Sequence, residues 1–219
     1  MTKNTSWGTV AGQYSEHLKK ENTYHESVIA SQLVRLIKPV GKSILEVGCG
    51  EGFITRVLHD AGAIVTGADI SPELISLARK QSKEIHYEVA PAQKMTFAQN
   101  ESFDVVLIVL ALQNMDSIDA VFTECRRIVK QSGRLILVLN HPMFRIPKHS
   151  SWEYDGKNAQ QYRRIDQYLT QSREDIVMNP GSKGKLITTP SFHRSLQDIV
   201  KPLSKAGFAI TNLEEWISH

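Results

Sequence analysis

Four residues within seven positions could do chemistry together: Glu46, Gly48, Gly50 and Gly52, with Cys49 between the first two glycines. They interrupt an apolar run, Ile44-Leu45-Glu46-Val47, and precede Phe53, Val57 and Leu58, whose spacing is helical. A strand, a glycine turn and a helix form a nucleotide-cofactor site at the carboxyl end of a parallel strand. Glycines suit that turn because no Cβ stands between backbone and ligand. Glu46 lies inside the apolar run, where an unpaired carboxylate is costly. It is expected to brace the loop through backbone N–H groups or to reach polar ligand atoms through water. Asp69 follows a second β-like run, Ala63 to Ala68, about twenty residues past the glycines. An acid there can accept from both hydroxyls of a ribose, one on each side of its carboxylate. Ile70 then offers an apolar surface to the base.

The elements that must hold these residues follow from the rest of the chain. With 219 residues, 41% apolar content and no biased tracts, it has the size of a single α/β domain spanning residues 1–219. A net charge of +3 is too small to indicate nucleic acid or a membrane surface. The two cysteines, Cys49 and Cys125, give no disulfide framework. The N-terminus has no apolar signal core, and the longest apolar run, Val105 to Leu112, is too short to span a bilayer. A cytoplasmic protein is expected.

Residues 1–42 suggest amphipathic helical turns closed by Pro39 and Gly41. Ser71-Pro72-Glu73 opens a helix to about Gln81, Ile85 to Val89 is a third strand, and Ser102-Phe103-Asp104-Val105-Val106 enters a fourth that ends near Leu110 to Met115. A helix over Asp119 to Gln131, stopped by Gly133, precedes a fifth strand, Arg134 to Asn140. Strands alternating with helices at this spacing predict a doubly wound, mostly parallel α/β sheet with helices on both faces. The alternation breaks at 141–185, an aromatic-rich insertion with eight Lys/Arg against five Asp/Glu. Ser195 and Asp198 have capping-box spacing and open a last helix weakened by Pro202. Ala209 to Ile217 reads as a sixth strand.

In its order of motifs the chain resembles the class I S-adenosylmethionine-dependent methyltransferases, particularly the small-molecule, ubiquinone- and menaquinone-methyltransferase-like group. The matching residues are E-x-G-x-G-x-G at Glu46 to Gly52, Asp69, S-F-D-x-V from Ser102, R-x-x-K-x-x-G at Arg127, Lys130 and Gly133, and A-G-F at Ala206 to Phe208. Trp7, Ala11 and Tyr14 are similar to the family's opening, and Phe192-His193-Arg194 to its last-helix entry. A dehydrogenase fingerprint would put its third glycine at Phe53.

The resemblance implies a Rossmann-like methyltransferase fold, S-adenosyl-L-methionine as cofactor and a small-molecule methyl acceptor, with no metal, nucleic acid or membrane partner, in a monomer or homodimer. It implies cofactor contacts from Glu46, Gly48, Cys49, Gly50, Gly52, Asp69 and Ile70. It adds Tyr14 near the methionine end, backbone of Leu110 beneath it, and Ala92 and Gln93 around the adenine. Pro91 departs from the family there, standing where relatives carry an acid. The insertion 141–185 and the N-terminal segment would close over the pocket as lids. The family's strand-four histidines are replaced by Gln113 and Asn114. A base, needed only for a protonated acceptor, would then be His141, with His149 and His193 behind it. The competing possibilities are a non-catalytic cofactor-binding regulator and, on the shared strand and acid, a nicotinamide-dependent oxidoreductase.

Such sheets usually finish with an antiparallel seventh strand between strands five and six, but only Ser218 and His219 follow Ile217. Lys185 to Thr189 is the expected substitute, paired to strand five or six. Failing that, the unpaired edge could join two chains.

Overall fold

The computed structural model describes residues 7–8, 25–179 and 186–217, with residues 25–27 described by backbone alone. Its frame is a five-stranded sheet in the order β3-β2-β1-β4-β5. The strands are β1 (Ser43–Val47), β2 (Ile64–Asp69), β3 (His86–Val89), β4 (Phe103–Val109) and β5 (Val129–Val138). Every pairing among them is parallel. A parallel strand covered by helices on both sides must be apolar on both sides. Ile44, Leu45, Val47 and Val105 to Ile108 are accordingly sealed from solvent.

The connecting helices split between the two faces. A π-helical turn, His25–Ala30, runs into α1 (Ser31–Ile37), which packs with α2 (Phe53–Asp60) over Ile44, Val65, Val105 and Leu107. The next helix, α3 (Pro72–Gln81), covers Ile85 and Tyr87 through Ile75 and Ala78. Two more, α4 (Ile118–Ile128) and α5 (Leu196–Lys205), bury the opposite face around Leu45, Val106, Ile108 and Phe122. The doubly wound α/β fold is therefore present. Strand order reverses between β1 and β4, and ligands of such sheets sit at the carboxyl ends beside that reversal.

Asp104 of the S-F-D-x-V stretch fastens the amino edge. One carboxylate oxygen accepts from the Ser43 N–H (2.9 Å) and hydroxyl (2.8 Å), the other from Lys130 Nζ (2.7 Å). These bonds, the lysine's first, hold its pKa down at about 2.

The insertion is two antiparallel hairpins. Strands β6 (Ser150–Asp155) and β7 (Gln160–Ile165) form one. The other joins β8 (Ser172–Val177) to β9 (Thr188–His193), beyond residue 185. No helix among the described residues is long and apolar enough to cross a membrane.

Three expectations are corrected. The helix before β5 stops at Ile128, not Gln131, and the chain enters the strand at once through an irregular stretch. Gly133 lies in that stretch, where a Cβ would stand 2.9 Å from the Asp104 carbonyl oxygen. Residues 209–217 form no strand. They cross beyond β5 from Phe208, packed on one face, to Trp216, packed on the other. Side chains fix this crossing: Glu214 pairs with Arg35 and Glu215 with His141. The expected substitute strand is also elsewhere. Thr188 and Thr189 pair with β8, not with β5 or a sixth strand, and Lys185 lies outside the described residues. Its β-branched content made a strand, but a nearer partner took it.

A depressed acid pKa contributes stability above about pH 4, which is lost as pH falls through the folded value near 2. Asp104→Asn should therefore lower unfolding free energy at neutral pH by roughly 1 kcal/mol, a figure reduced for the group's partial exposure. In urea titrations the gap to the parent chain should close between pH 4 and pH 2. A gap that persists at low pH would show that the loss comes from packing.

Candidate active site

Past Val47 the chain makes three left-handed turns, at Gly48 (φ 74°), Gly50 (φ 57°) and Gly52 (φ 79°). At Gly48 the need for glycine is also steric, since a Cβ would stand 2.7 Å from Ala111 Cβ and 3.3 Å from Met115 Cε. The loop is tied to β2. Gly48 and Cys49 both donate N–H to the Ala68 carbonyl, at 2.7 and 3.0 Å. Gly50 N–H donates to one Asp69 oxygen at 2.9 Å, and Ser71 N–H to the other at 2.8 Å. Asp69 thus joins the loop after β1 to the start of α3, where Ser71 caps the helix through the Leu74 N–H.

Burial raises the Asp69 pKa, opposed by hydrogen bonds from the backbone at Ser71, Gly50 and Ile70. Two N–H donors do not exhaust a carboxylate, which offers about four lone-pair sites. The capacity left fits a vicinal diol. Ile70 alongside is half exposed and gives the apolar flank. Past β3 the chain turns at Pro91, bonded by Lys94 N–H to the Pro91 carbonyl (3.0 Å). Ala92 and Gln93 occupy that turn, and their N–H groups make no hydrogen bond among the described residues. Diol acceptor, apolar flank and two N–H donors at one edge fit an adenosine group.

Glu46 braces the site differently from expectation. Its carboxylate accepts from the Thr55 hydroxyl on α2, so it ties strand to helix and not to the loop backbone. Burial pushes its pKa up to about 8, with hydrogen bonding to Thr55 opposing and Asp69 adding to the rise. The same burial pushes the Cys49 thiol up. Glu51, unassigned in the sequence, is nearly sealed (2% exposed) and holds the loop to the end of α3 by accepting from Gln81 Nε2 at 2.8 Å. Leu110 stands in a left-handed conformation (φ 48°), its N–H given to the Val138 carbonyl and its own carbonyl to the Gln113 amide. That carbonyl therefore already has a partner.

Tyr14 lies outside the described residues. Trp7 and Gly8 do not, and Gly8 stands at this edge: a Cβ on it would lie 2.2 Å from Glu73 Oε2 at the start of α3. On the other side, β9 packs against the 3₁₀ turn Leu112–Asn114 beyond β4, and Arg194 donates to the Met115 (2.9 Å) and Asp116 carbonyls.

The three histidines differ. His141 Nε2 stands 3.0 Å from Glu215 Oε1, and its Nδ1 accepts the Met143 N–H at 3.3 Å. To serve as a base it would have to give up one of these. His149 is half-buried, with its carbonyl accepting the Asp166 N–H. His193 is buried, its Nε2 2.9 Å from the Tyr168 carbonyl oxygen. Two surface hollows of about 600 and 320 Å³ lie elsewhere, one beside Thr123 and Arg126 on α4 and one at the amino edge near Lys42 and Asp104. Neither includes the glycine loop, where the convergent polar groups are.

Residues 45–137 match the family model described as a methyltransferase domain. A demethylmenaquinone methyltransferase from Tropheryma whipplei is 33% identical over 111 residues, 47% of this chain and 44% of that protein. A ubiquinone biosynthesis O-methyltransferase from Xanthomonas axonopodis pv. citri is 32% identical over 105 residues, 46% and 44% of the two chains. The chain thus spans under half the length of the curated relatives it matches. Among solved structures, an S-adenosylmethionine-dependent methyltransferase from Mesorhizobium loti is 26% identical, covers 87% of this chain and 86% of its own, and superposes with a TM-score of 0.72.

Asp69→Ala removes both the loop brace and the diol acceptor, so affinity for S-adenosylmethionine should fall by about 1.5–3 kcal/mol, read by calorimetry. Unchanged affinity in a folded variant would remove Asp69 from the site. Glu46 is a second target. A raised acid pKa favours folding fully below the unfolded value of 4.5, and that contribution is lost as pH rises to about 8. Glu46→Gln should therefore gain on the parent chain across that interval, by roughly 2–4 kcal/mol at pH 8. Parallel stability profiles would show that Glu46 is already ionised in the folded protein.

Proposed function

We propose that this chain is a class I S-adenosylmethionine-dependent methyltransferase that passes the cofactor's methyl group to a small-molecule acceptor. The observation that carries this is the Asp69 bridge. The Asp69 carboxylate joins the glycine loop to Ser71, and at the same sheet edge the N–H groups of Ala92 and Gln93 make no hydrogen bond among the described residues, which supports a site for a diol and a purine. When bound, the cofactor supplies a methyl group already activated by its sulfonium.

What is left for the protein is positional. The glycine loop and Asp69 fix one half of the cleft, and the turn over Gly48 made by Ala111 and Met115 fixes its floor. The hairpin β8–β9 supplies a wall on the acceptor side, and Gly8 stands against Glu73 at the start of α3. Holding acceptor and methyl carbon in line while excluding water accounts for most of what such a site must do. The names of the curated relatives, which concern demethylmenaquinone and ubiquinone biosynthesis, support a small organic acceptor. The two buried, unpaired cysteines support a reducing compartment, the cytoplasm.

Titration calorimetry with S-adenosylmethionine should give saturable binding, and Gly50→Val, which fills the loop, should abolish it. Methyl-labelled cofactor incubated with phenolic and quinol acceptors should then transfer label. A folded chain that binds no cofactor would overturn the proposal. Binding without transfer to any acceptor would favour a regulator that only senses the cofactor.

A further inference from the structure

The hairpin β8–β9 turns an unusually polar side inward. Along β9 the buried positions are Thr189, Ser191 and His193, at 2%, 4% and 5% exposure. Their cross-strand partners on β8 are Ile176, Glu174 and Ser172. Directly paired residues of antiparallel strands share a face with Cβ atoms about 4.5–5.5 Å apart, so Ser172 and His193 stand side by side. Glu174, next on that face, is engaged by Lys148 at 2.5 Å. Ser172 Oγ is different: it is buried and has no hydrogen-bond partner.

His193 is held in a defined way. Nε2 faces the Tyr168 carbonyl oxygen at 2.9 Å. A carbonyl only accepts, so Nε2 carries the proton, and in the neutral ring Nδ1 is left with a lone pair. No hydrogen bond to Nδ1 occurs among the described residues. The Tyr168 hydroxyl is itself fixed, accepting the Leu196 N–H at 3.0 Å, so the whole support is locked. This face packs on the turn beyond β4, whose Met115 covers Gly48 of the glycine loop.

A buried hydroxyl without a partner beside an imidazole lone pair suits a group that accepts from Ser172 and donates to His193, as the hydroxyl of an acceptor does. We propose that Ser172 and His193 bind the hydroxyl of a phenol-class acceptor and that His193 Nδ1 takes its proton, making the reaction an O-methylation. This rests on the methyl-transfer function proposed above. In the transfer, the O–H proton passes to Nδ1 and a lone pair on oxygen forms the new bond to the methyl carbon. The carbon–sulfur bond opens with its electron pair kept by sulfur, leaving a thioether, and the imidazolium returns its proton to water.

The test uses full-length protein labelled with ¹⁵N-histidine. His193→Gln assigns the His193 signals by their loss, while its amide N–H can keep the bond to the Tyr168 carbonyl. Long-range ¹H–¹⁵N spectra should show the proton on Nε2 and Nδ1 bare. Phenol should shift the Nδ1 signal, and anisole, which has no proton to give, should not. Ser172→Ala should melt no lower than the parent, because it removes an unpaired buried hydroxyl, yet it should weaken the phenol response roughly 2- to 10-fold. A proton on Nδ1, no shift with phenol, an equal shift with anisole, or an unchanged phenol midpoint in Ser172→Ala would each overturn the inference. Calorimetry with S-adenosylmethionine on the same sample separates the two levels. Absent cofactor binding defeats the methyltransferase function and this inference with it, whereas normal cofactor binding with an unmoved His193 defeats this inference alone.

Discussion

The carboxylate of Asp69 is the constraint on which the rest of the site depends. It is nearly buried, and a buried charge is tolerated only when donors surround it. The donors are backbone N–H groups from two loops far apart in sequence, at Gly50 and Ser71. Satisfying one acid therefore sets the position of both the glycine loop and the amino end of α3. Glu46 and Glu51 extend the same principle. Each is a sealed acid that ties the loop's surroundings to a helix, the first through Thr55 and the second through Gln81. Three acids at or below 8% exposure fasten the loop alongside its apolar packing, in which Cys49 joins Ile75, Ala78, Ile85 and Tyr87.

The two hairpins are built on different terms. The hairpins β6–β7 and β8–β9 complete their own ladders and meet the sheet through a few side chains. Ile146, buried just before β6, is bonded through its backbone to Ser150 Oγ, and Arg194 anchors the second hairpin to carbonyls past β4. One half of the fold is thus fixed by buried acids that accept from backbone at Asp69 and from side chains at Glu46 and Glu51, the other by short-range pairing and a small number of anchors.

Much of the first half was legible in the sequence. Strand, glycine turn and helix from Ile44 to Leu58 are contiguous, so apolar period and glycine spacing suffice to place them. Asp69 was legible as an acid at a strand end, though its role as a brace was not, because Ser71's N–H is a property of the folded turn. The end of α4 was misjudged because Val129 to Gln131 continue an acceptable helical pattern, and only β4's edge draws them into a strand. Residues 209–217 carry strand-like composition, but a strand exists only with a partner, and the tail is instead held by Glu214 and Glu215. The β6–β7 hairpin does carry a local signal. Asp155-Gly156-Lys157-Asn158 is a turn sequence between two β-capable runs.

The self-sufficiency of the two hairpins bears on how this protein can change over evolutionary time. A substitution on β6, β7 or the outer side of β8 disturbs a two-stranded ladder and leaves the parallel sheet untouched, because no hydrogen-bonded strand of that sheet is shared with either hairpin. Duplicated copies could therefore diverge along the hairpins while inheriting an unaltered glycine loop and parallel sheet. Mutations would accumulate freely in one part of the gene and be purged in the other, so descendants should differ most on β6, β7 and the outer side of β8 and least around Glu46 to Asp69.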